Sequence, residues 1–311
     1  MKLKKTVSRP LYISRLIELE GDTATVRVLI GIRGCGKSTV IREYIASLEE
    51  RGVPSDHIVY MELENTFGNF FEKTEDVIAY LDHHMPTDGK LTYVFLDGVG
   101  RPDSWTKTCN HVLTNYNAEV TVVTSSGKAI GAGREMPKKY VMILVRPLLF
   151  ERFLRTYPPE KQLDIPARFR EYMLFGGLPT VDVNLSEEEK KKRLKELIED
   201  IRIHDLLPRY NDLNFDRIQL VLVGIFRHQG EPVNTEQIAA ETGLTVREVT
   251  RYVEIVRQER LAVYINAYDL KHRRPLHELG QIFYSVDLGL LNALQDSYPD
   301  PPDCLRYQNA V

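Results

Sequence analysis

Eight residues near the start of the chain, Gly31 to Ser38, read GIRGCGKS and fit the spacing G-x-x-x-x-G-K-[ST]. Glycines at that spacing let successive backbone N–H groups turn inward around one anion, and the start of a following helix adds the positive end of its dipole. A lysine beside them neutralises phosphate oxygens, and the next hydroxyl is a ligand for Mg²⁺. The chemistry is the grip of a triphosphate, ATP with Mg²⁺, by Gly31, Arg33, Gly34, Cys35, Gly36, Lys37, Ser38 and Thr39. It requires a strand before the loop and a helix after it. Both are present: TVRVLI precedes, and STVIREYIASLEERG follows with Val40, Ile41, Tyr44, Ile45 and Leu48 at helical spacing and Gly52 as its stop. Cys35 reads as a small residue that fits the loop.

A second run, YVFLD, ends in Asp97. A carboxylate at a strand tip facing such a loop holds Mg²⁺ through water, so Ser38 and Asp97 are the candidate metal ligands. A third run ends in Thr124, Ser125 and Ser126, and Ser125 is expected to touch the γ-phosphate or the attacking water. Directly after Asp97 stands Gly98, which can neither accept a proton nor orient water. A general base contributes about 10²–10⁴-fold, so tight binding with slow hydrolysis is expected. Glu62, Glu64 and Asp103 are carboxylates near these strand ends, and each reads as a surface or capping group.

These groups need a scaffold. Between Thr23 and Arg146 the runs TVRVLI, HIVYMEL, TYVFLD, VTVVTS and YVMILV are rich in Val, Ile and Tyr without alternation. Strands of that kind are buried on both faces of a parallel sheet covered by helices. From Pro147 to about Leu213 the pattern is helical, and EEEKKKR within SEEEKKKRLKELIED reads as a solvated face. From Phe215 an apolar helix closed by Gly230, a short helix ending at Gly243 and a third opened by the pair Thr245 and Glu248 give a helix-turn-helix pattern. Val246, Val249, Val253 and Val256 are expected inside, with Arg247 and Arg251 outside. AVYINAYD and QIFYSVD would form the strands of a wing.

With a net charge of -3 and a sequence pI near 6.3 there is no global basic field. Any nucleic-acid contact must be local. Arg247, Arg251, Arg257, Lys271, His272, Arg273 and Arg274 would supply it to double-stranded DNA, and Glu248, Glu254 and Glu259 oppose it; a protein partner or a second copy of the chain stays open beside DNA. The sequence has neither an apolar run of about 18 residues nor a signal-peptide pattern, and its cysteines, Cys35, Cys109 and Cys304, are scattered. A cytoplasmic location with free thiols and no membrane association is expected. Cys109 with His111, and Asp82-His83-His84, do not have the spacing of a metal site. A small-molecule kinase would share the phosphate cradle, but no acceptor site is legible.

Taken together, GIRGCGKST, YVFLDG, TVVTSSG, Gly133-Arg134, RPLLFERFL and FGGLPT resemble the prokaryotic AAA-type ATPases that carry a C-terminal domain of unknown function, relatives of STAND-type signalling ATPases and archaeal replication initiators. The resemblance implies an α/β fold: a P-loop, AAA-like parallel sheet core over 1–148, a helical lid over 149–213 and a winged-helix domain over 214–311. It further implies that Arg134 reads the γ-phosphate and that Gly177 and Pro179 form a Gly-x-Pro element by the nucleotide. The chain departs from that family in lacking a glutamate after Asp97. The family also continues past the winged helix into a nuclease-like part, whereas here VDLGLLNAL lies close to the last residue, so the resemblance gives no argument for nuclease activity. An ATP-driven switch and a nucleotide-holding protein-interaction module are the two functions left standing.

Overall fold

The structure is a computed structural model, and it describes residues 7–63, 74–99, 102–126, 139–159, 164–210, 212–276 and 280–300. The chain divides into two units, one of 1–32 with 36–145 and one of 33–35 with 146–311. Among the described residues no helix is long and apolar enough to cross a membrane.

In the first unit, a helix α1 (Pro10–Glu18) precedes five parallel strands ordered β2-β3-β4-β1-β5: β1 Val26–Ile30, β2 Ile58–Glu62, β3 Thr92–Asp97, β4 Ala118–Thr124 and β5 Tyr140–Leu144. The three inner strands are buried at every residue, as continuous apolar runs predict. The two edges correct that expectation. β5 is exposed at Tyr140 and Met142, and β2 alternates, because an edge strand lacks a neighbour on one side and is covered less fully. On one face Val28, Ile30, Val94, Leu96, Val120 and Val122 pack with Val77 and Leu81 of α3 (Thr74–His84) and Trp105, Cys109 and Val112 of α4 (Pro102–Asn115). On the other lies α2 (Lys37–Glu50), whose Tyr44 ring meets Phe95 of β3 edge-on at 5.9 Å. Inside TVRVLI, Arg27 is buried rather than apolar. Its guanidinium pairs with buried Glu119 of β4 and donates to the Leu19 carbonyl, so the charge is compensated where water is excluded.

The second unit contains α5 (Phe150–Thr156), α6 (Ile165–Phe175) and α7 (Glu187–Asp200), the last running into a π-helical turn, Ile201–Leu206. Ser186 and Glu189 close a capping box on α7. EEEKKKR is not wholly solvated, which corrects the sequence reading: Lys190 is buried, pairs with Glu171 at 2.6 Å and lies over the Phe175 ring. Then follow α8 (Phe215–Arg227), β6 (Pro232–Val233), α9 (Thr235–Thr242), α10 (Val246–Gln258), β7 (Ala262–Asn266) and β10 (Gln281–Ser285), with the small pair β8 (Tyr268–Asp269) and β9 (Arg274–Pro275) between the last two. β10 pairs antiparallel with both β6 and β7. Gly243 takes a left-handed φ of 71° between α9 and α10, and Thr245 and Glu248 cap α10 reciprocally. Val249, Val253 and Val256 are buried, whereas Val246 in the first turn is 42% exposed because the stripe facing inward starts one turn later. A further helix, α11 (Leu288–Gln295), is capped by the buried Asp287.

Candidate functional site

The loop from Gly31 to Gly36 leaves β1 and enters α2 with Gly34 and Gly36 at φ of 81° and 97°. Only glycine takes such angles without a steric cost, which is why the loop spends residues on it. Gly36 stands at the N-cap with no side-chain cap, and the first turn of α2 holds no acidic residue. Neither the N-cap side chain nor an acidic residue of the first turn therefore occupies the first N–H groups of that helix or offsets its dipole.

Lys37 folds back so that Nζ donates to the carbonyls of Gly31 at 2.8 Å and Ile32 at 3.0 Å. Ser38 and Thr39 are half-buried in the first turn, and Cys35 is fully buried, as a small filling residue would be. Arg33–Cys35 group with the second unit. There the Arg33 fork closes on Asp205 of the π-helical turn, with two contacts of 2.9 Å, so its guanidinium is already engaged by a carboxylate. Asp205 is also flanked by Arg209, which reaches Glu259 at 3.1 Å.

Asp97 ends β3 and is 6% exposed. Its Oδ2 accepts from the hydroxyl of Tyr60 on β2 at 2.9 Å, a partner the sequence reading missed. Burial, followed by the Asp97 charge, raises the Tyr60 hydroxyl above its usual range, which keeps it the donor. The missed signal is periodicity: Tyr60 falls on the same parity of β2 as the residues that face α2.

β4 lies between β1 and β3, so the run ending in Ser125 does sit between the loop strand and the Asp97 strand. Gly31 N–H donates to Thr124 O at 3.3 Å, the Thr124 hydroxyl to Val99 O at 2.9 Å, and Ser125 is buried beside them. Gly98 has a φ of 87°, and the N–H groups of Gly98 and Val99 both turn to Val123 O, at 3.1 and 3.0 Å. β3 thus exits through a left-handed residue. Any side chain there is strained, and Gly98→Ala is expected to lower stability by roughly 1–2 kcal/mol, read as a shift of the urea midpoint. An unchanged midpoint would contradict the conformational reason for this glycine.

Gly177 and Pro179 lie in the second unit. Gly177 N–H donates to Asp287 Oδ2 at 2.8 Å and its carbonyl accepts from Leu148 N–H at 2.8 Å. Asp287 was not singled out in the sequence; an aspartate just before LGLLNAL is a helix-cap signal that could have found it. Arg134, Gly133 and Glu64 lie outside the described residues, as does Cys304. Cys109 is buried, and burial pushes its thiol up. Asp82 of α3 accepts from His111 of α4 and from Tyr116, the residue after that helix. Among the described residues no cluster of three or more His, Cys, Asp or Glu could hold a metal.

Residues 23–154 match a family described as an AAA domain, and residues 166–300 a family described as a domain of unknown function. The five-stranded parallel core with its helices is that of P-loop, AAA-type folds, and a C-terminal helical domain follows it. An uncharacterised protein of Haemophilus influenzae is 23% identical over 295 residues, 92% of this chain and 73% of that one. An uncharacterised protein of Methanocaldococcus jannaschii is 20% identical over 274 residues, 83% of this chain; the match spans 60% of that relative, so part of its length has no counterpart in the match. Among solved structures, the Aeropyrum pernix Orc1 protein in complex with DNA aligns with a TM-score of 0.36 at 13% identity, over 94% of this chain and 93% of that one.

Proposed function

We propose that the protein binds ATP·Mg²⁺ at the loop after β1 and hydrolyses it slowly, as a nucleotide switch attached to a winged helix that contacts DNA. The observation that carries this reading is the loop itself: two left-handed glycines, an uncapped helix start and Lys37 held at loop carbonyls that phosphate oxygens would replace. The donor set fits a triphosphate. Gly31, Arg33, Gly34, Cys35, Gly36 and Thr39 would surround the phosphates, Ser38 and Asp97 would hold Mg²⁺, and Ser125 and Arg134 would read the γ-phosphate. Bound Mg²⁺ would supply neutralisation of the charge on the β- and γ-oxygens. Gly177 and Pro179 complete the set by resemblance alone. Domain limits of 1–148, 149–213 and 214–311 belong to the same reading. Slow turnover follows from Gly98. The reading is tested by calorimetry with ATP and Mg²⁺ beside phosphate release; no heat on binding, or release at the rate of a fast AAA motor, would refute it.

The winged helix would comprise α8, β6, α9, α10, β7 and β10. Arg247, Arg273 and Arg274 are exposed, and Arg251 pairs with exposed Asp212, a contact that water screens and that phosphate can replace. A duplex gel shift that weakens between ~50 and ~200 mM salt is the expected result; no shift even at the lower salt would end the DNA reading. A second reading, a pseudo-ATPase acting as a protein-interaction module, is favoured by apolar side chains on the same wing: Val263, Ile265 and Tyr268 are about half exposed and Leu270 is 85% exposed.

A further inference from the structure

We propose that Glu62, at the tip of β2, is the general base for the hydrolysis, taking the place that Gly98 leaves vacant on β3. The inference rests on the ATP-binding reading above and deepens it. β2 and β3 run parallel in a register that sets Glu62 directly opposite Asp97. In-register neighbours on parallel strands point to the same face of a sheet, so the two carboxylates leave the sheet side by side.

That face is identified independently. Tyr60, two residues before Glu62, reaches Asp97 across it. Phe95, two before Asp97, meets Tyr44 of α2 on it. Met61, of opposite parity, is buried in the core beneath α3 and α4. Glu62 therefore lies on the face covered by the helix that begins with Lys37 and Ser38, and at the strand ends where that helix begins. It is exposed, so its carboxylate can meet water. Leu63 N–H donates to Asp97 O at 2.7 Å, so β2 keeps company with β3 up to its last residue and then passes it, while β3 turns away through Gly98.

The step balances without any further reactant. The oxygen of a water forms a bond to the γ-phosphorus, the bond from that phosphorus to the β–γ bridging oxygen breaks, and its electron pair leaves with ADP. The proton lost by the water passes to a Glu62 Oε and from there to solvent. A base contributes about 10²–10⁴-fold when correctly placed, and one reaching in from the neighbouring strand is consistent with slow turnover.

The test is Glu62→Gln, which keeps size and hydrogen bonding but cannot take a proton. ATP·Mg²⁺ affinity by calorimetry should stay within about threefold of wild type, while single-turnover phosphate release falls about 100-fold. Unchanged release in Glu62→Gln overturns the assignment, and so does a wild type that binds ATP·Mg²⁺ yet releases no phosphate; in both cases the binding reading survives. A wild type that binds no ATP overturns both together.

Discussion

Lys37→Ala is expected to abolish detectable ATP·Mg²⁺ binding, with a loss of at least 100-fold in affinity. The ammonium donates to two carbonyls of the loop itself, those of Gly31 and Ile32, at 2.8 and 3.0 Å. With phosphate present it would exchange two neutral acceptors for charged oxygens, and hydrogen bonds to charged groups are worth roughly 1.5–3 kcal/mol each. Two of them correspond to about two to four decades in affinity, at about 1.4 kcal/mol per decade. Removing the side chain from the protein itself costs little, because Gly31 keeps its place through its N–H bond to Thr124 O. The readout is thermal stabilisation: at a ligand concentration near 100 times its Kd, wild type gains about 2.7 kcal/mol. Lys37→Ala should gain nothing. A variant that keeps wild-type affinity would mean that the triphosphate, if bound at all, sits elsewhere.

Gly177→Ala is expected to unfold or severely loosen the second unit, by 3 kcal/mol or more. A Cβ at Gly177 would stand 2.0 Å from the Leu148 carbonyl oxygen, and one at Gly289 would stand 2.2 Å from Phe175 O. Backbone cannot give way as a side chain tip can, so this exceeds ordinary overpacking, which costs about 1–3 kcal/mol. Urea denaturation measures it; wild-type stability in Gly177→Ala would show that the close approach to Leu148 is not what demands glycine. The loss should appear with and without nucleotide, which separates a packing role from the nucleotide role that the motif FGGLPT implies by resemblance.

The same junction makes stability depend on pH. Burial pushes Asp287 up to about 6, against the lowering effect of the N–H groups of Gly177, Leu290 and Gly289. The folded state therefore holds a proton that the unfolded chain has released, and the stability this confers is complete below the unfolded value near 4 and lost as pH rises through about 6. Wild type should be more stable at pH 5 than at pH 7 by an amount that Asp287→Asn removes. Equal pH dependence in the two proteins would refute the assignment to Asp287.

How much of this was legible beforehand differs by element. The loop, its strand and its helix could be read from GIRGCGKS and its flanks because the requirement is local: glycines for left-handed turns, then an uncapped helix start. The inner strands were legible because burial on both faces leaves no alternation. The capping box of Thr245 and Glu248 spans four residues and needs no tertiary information. The edges β2 and β5 misled, since an apolar run says nothing about which strand has only one neighbour. Lys190 and Arg27 misled for a related reason: a charge enters the interior only where Glu171 or Glu119 meets it, and those partners are distant in sequence.

The sequence by itself determined the glycine-lysine loop between a strand and a helix, the α/β rhythm and the absence of a carboxylate directly after Asp97. Tertiary structure decided what surrounds that absence. Strand order and register put Tyr60 and Glu62 beside Asp97, 35 or more residues away along the chain, because a parallel sheet pairs strands only after a helical crossover. It likewise gave the glycines of FGGLPT a packing duty against Leu148 and Asp287 that no local pattern announces.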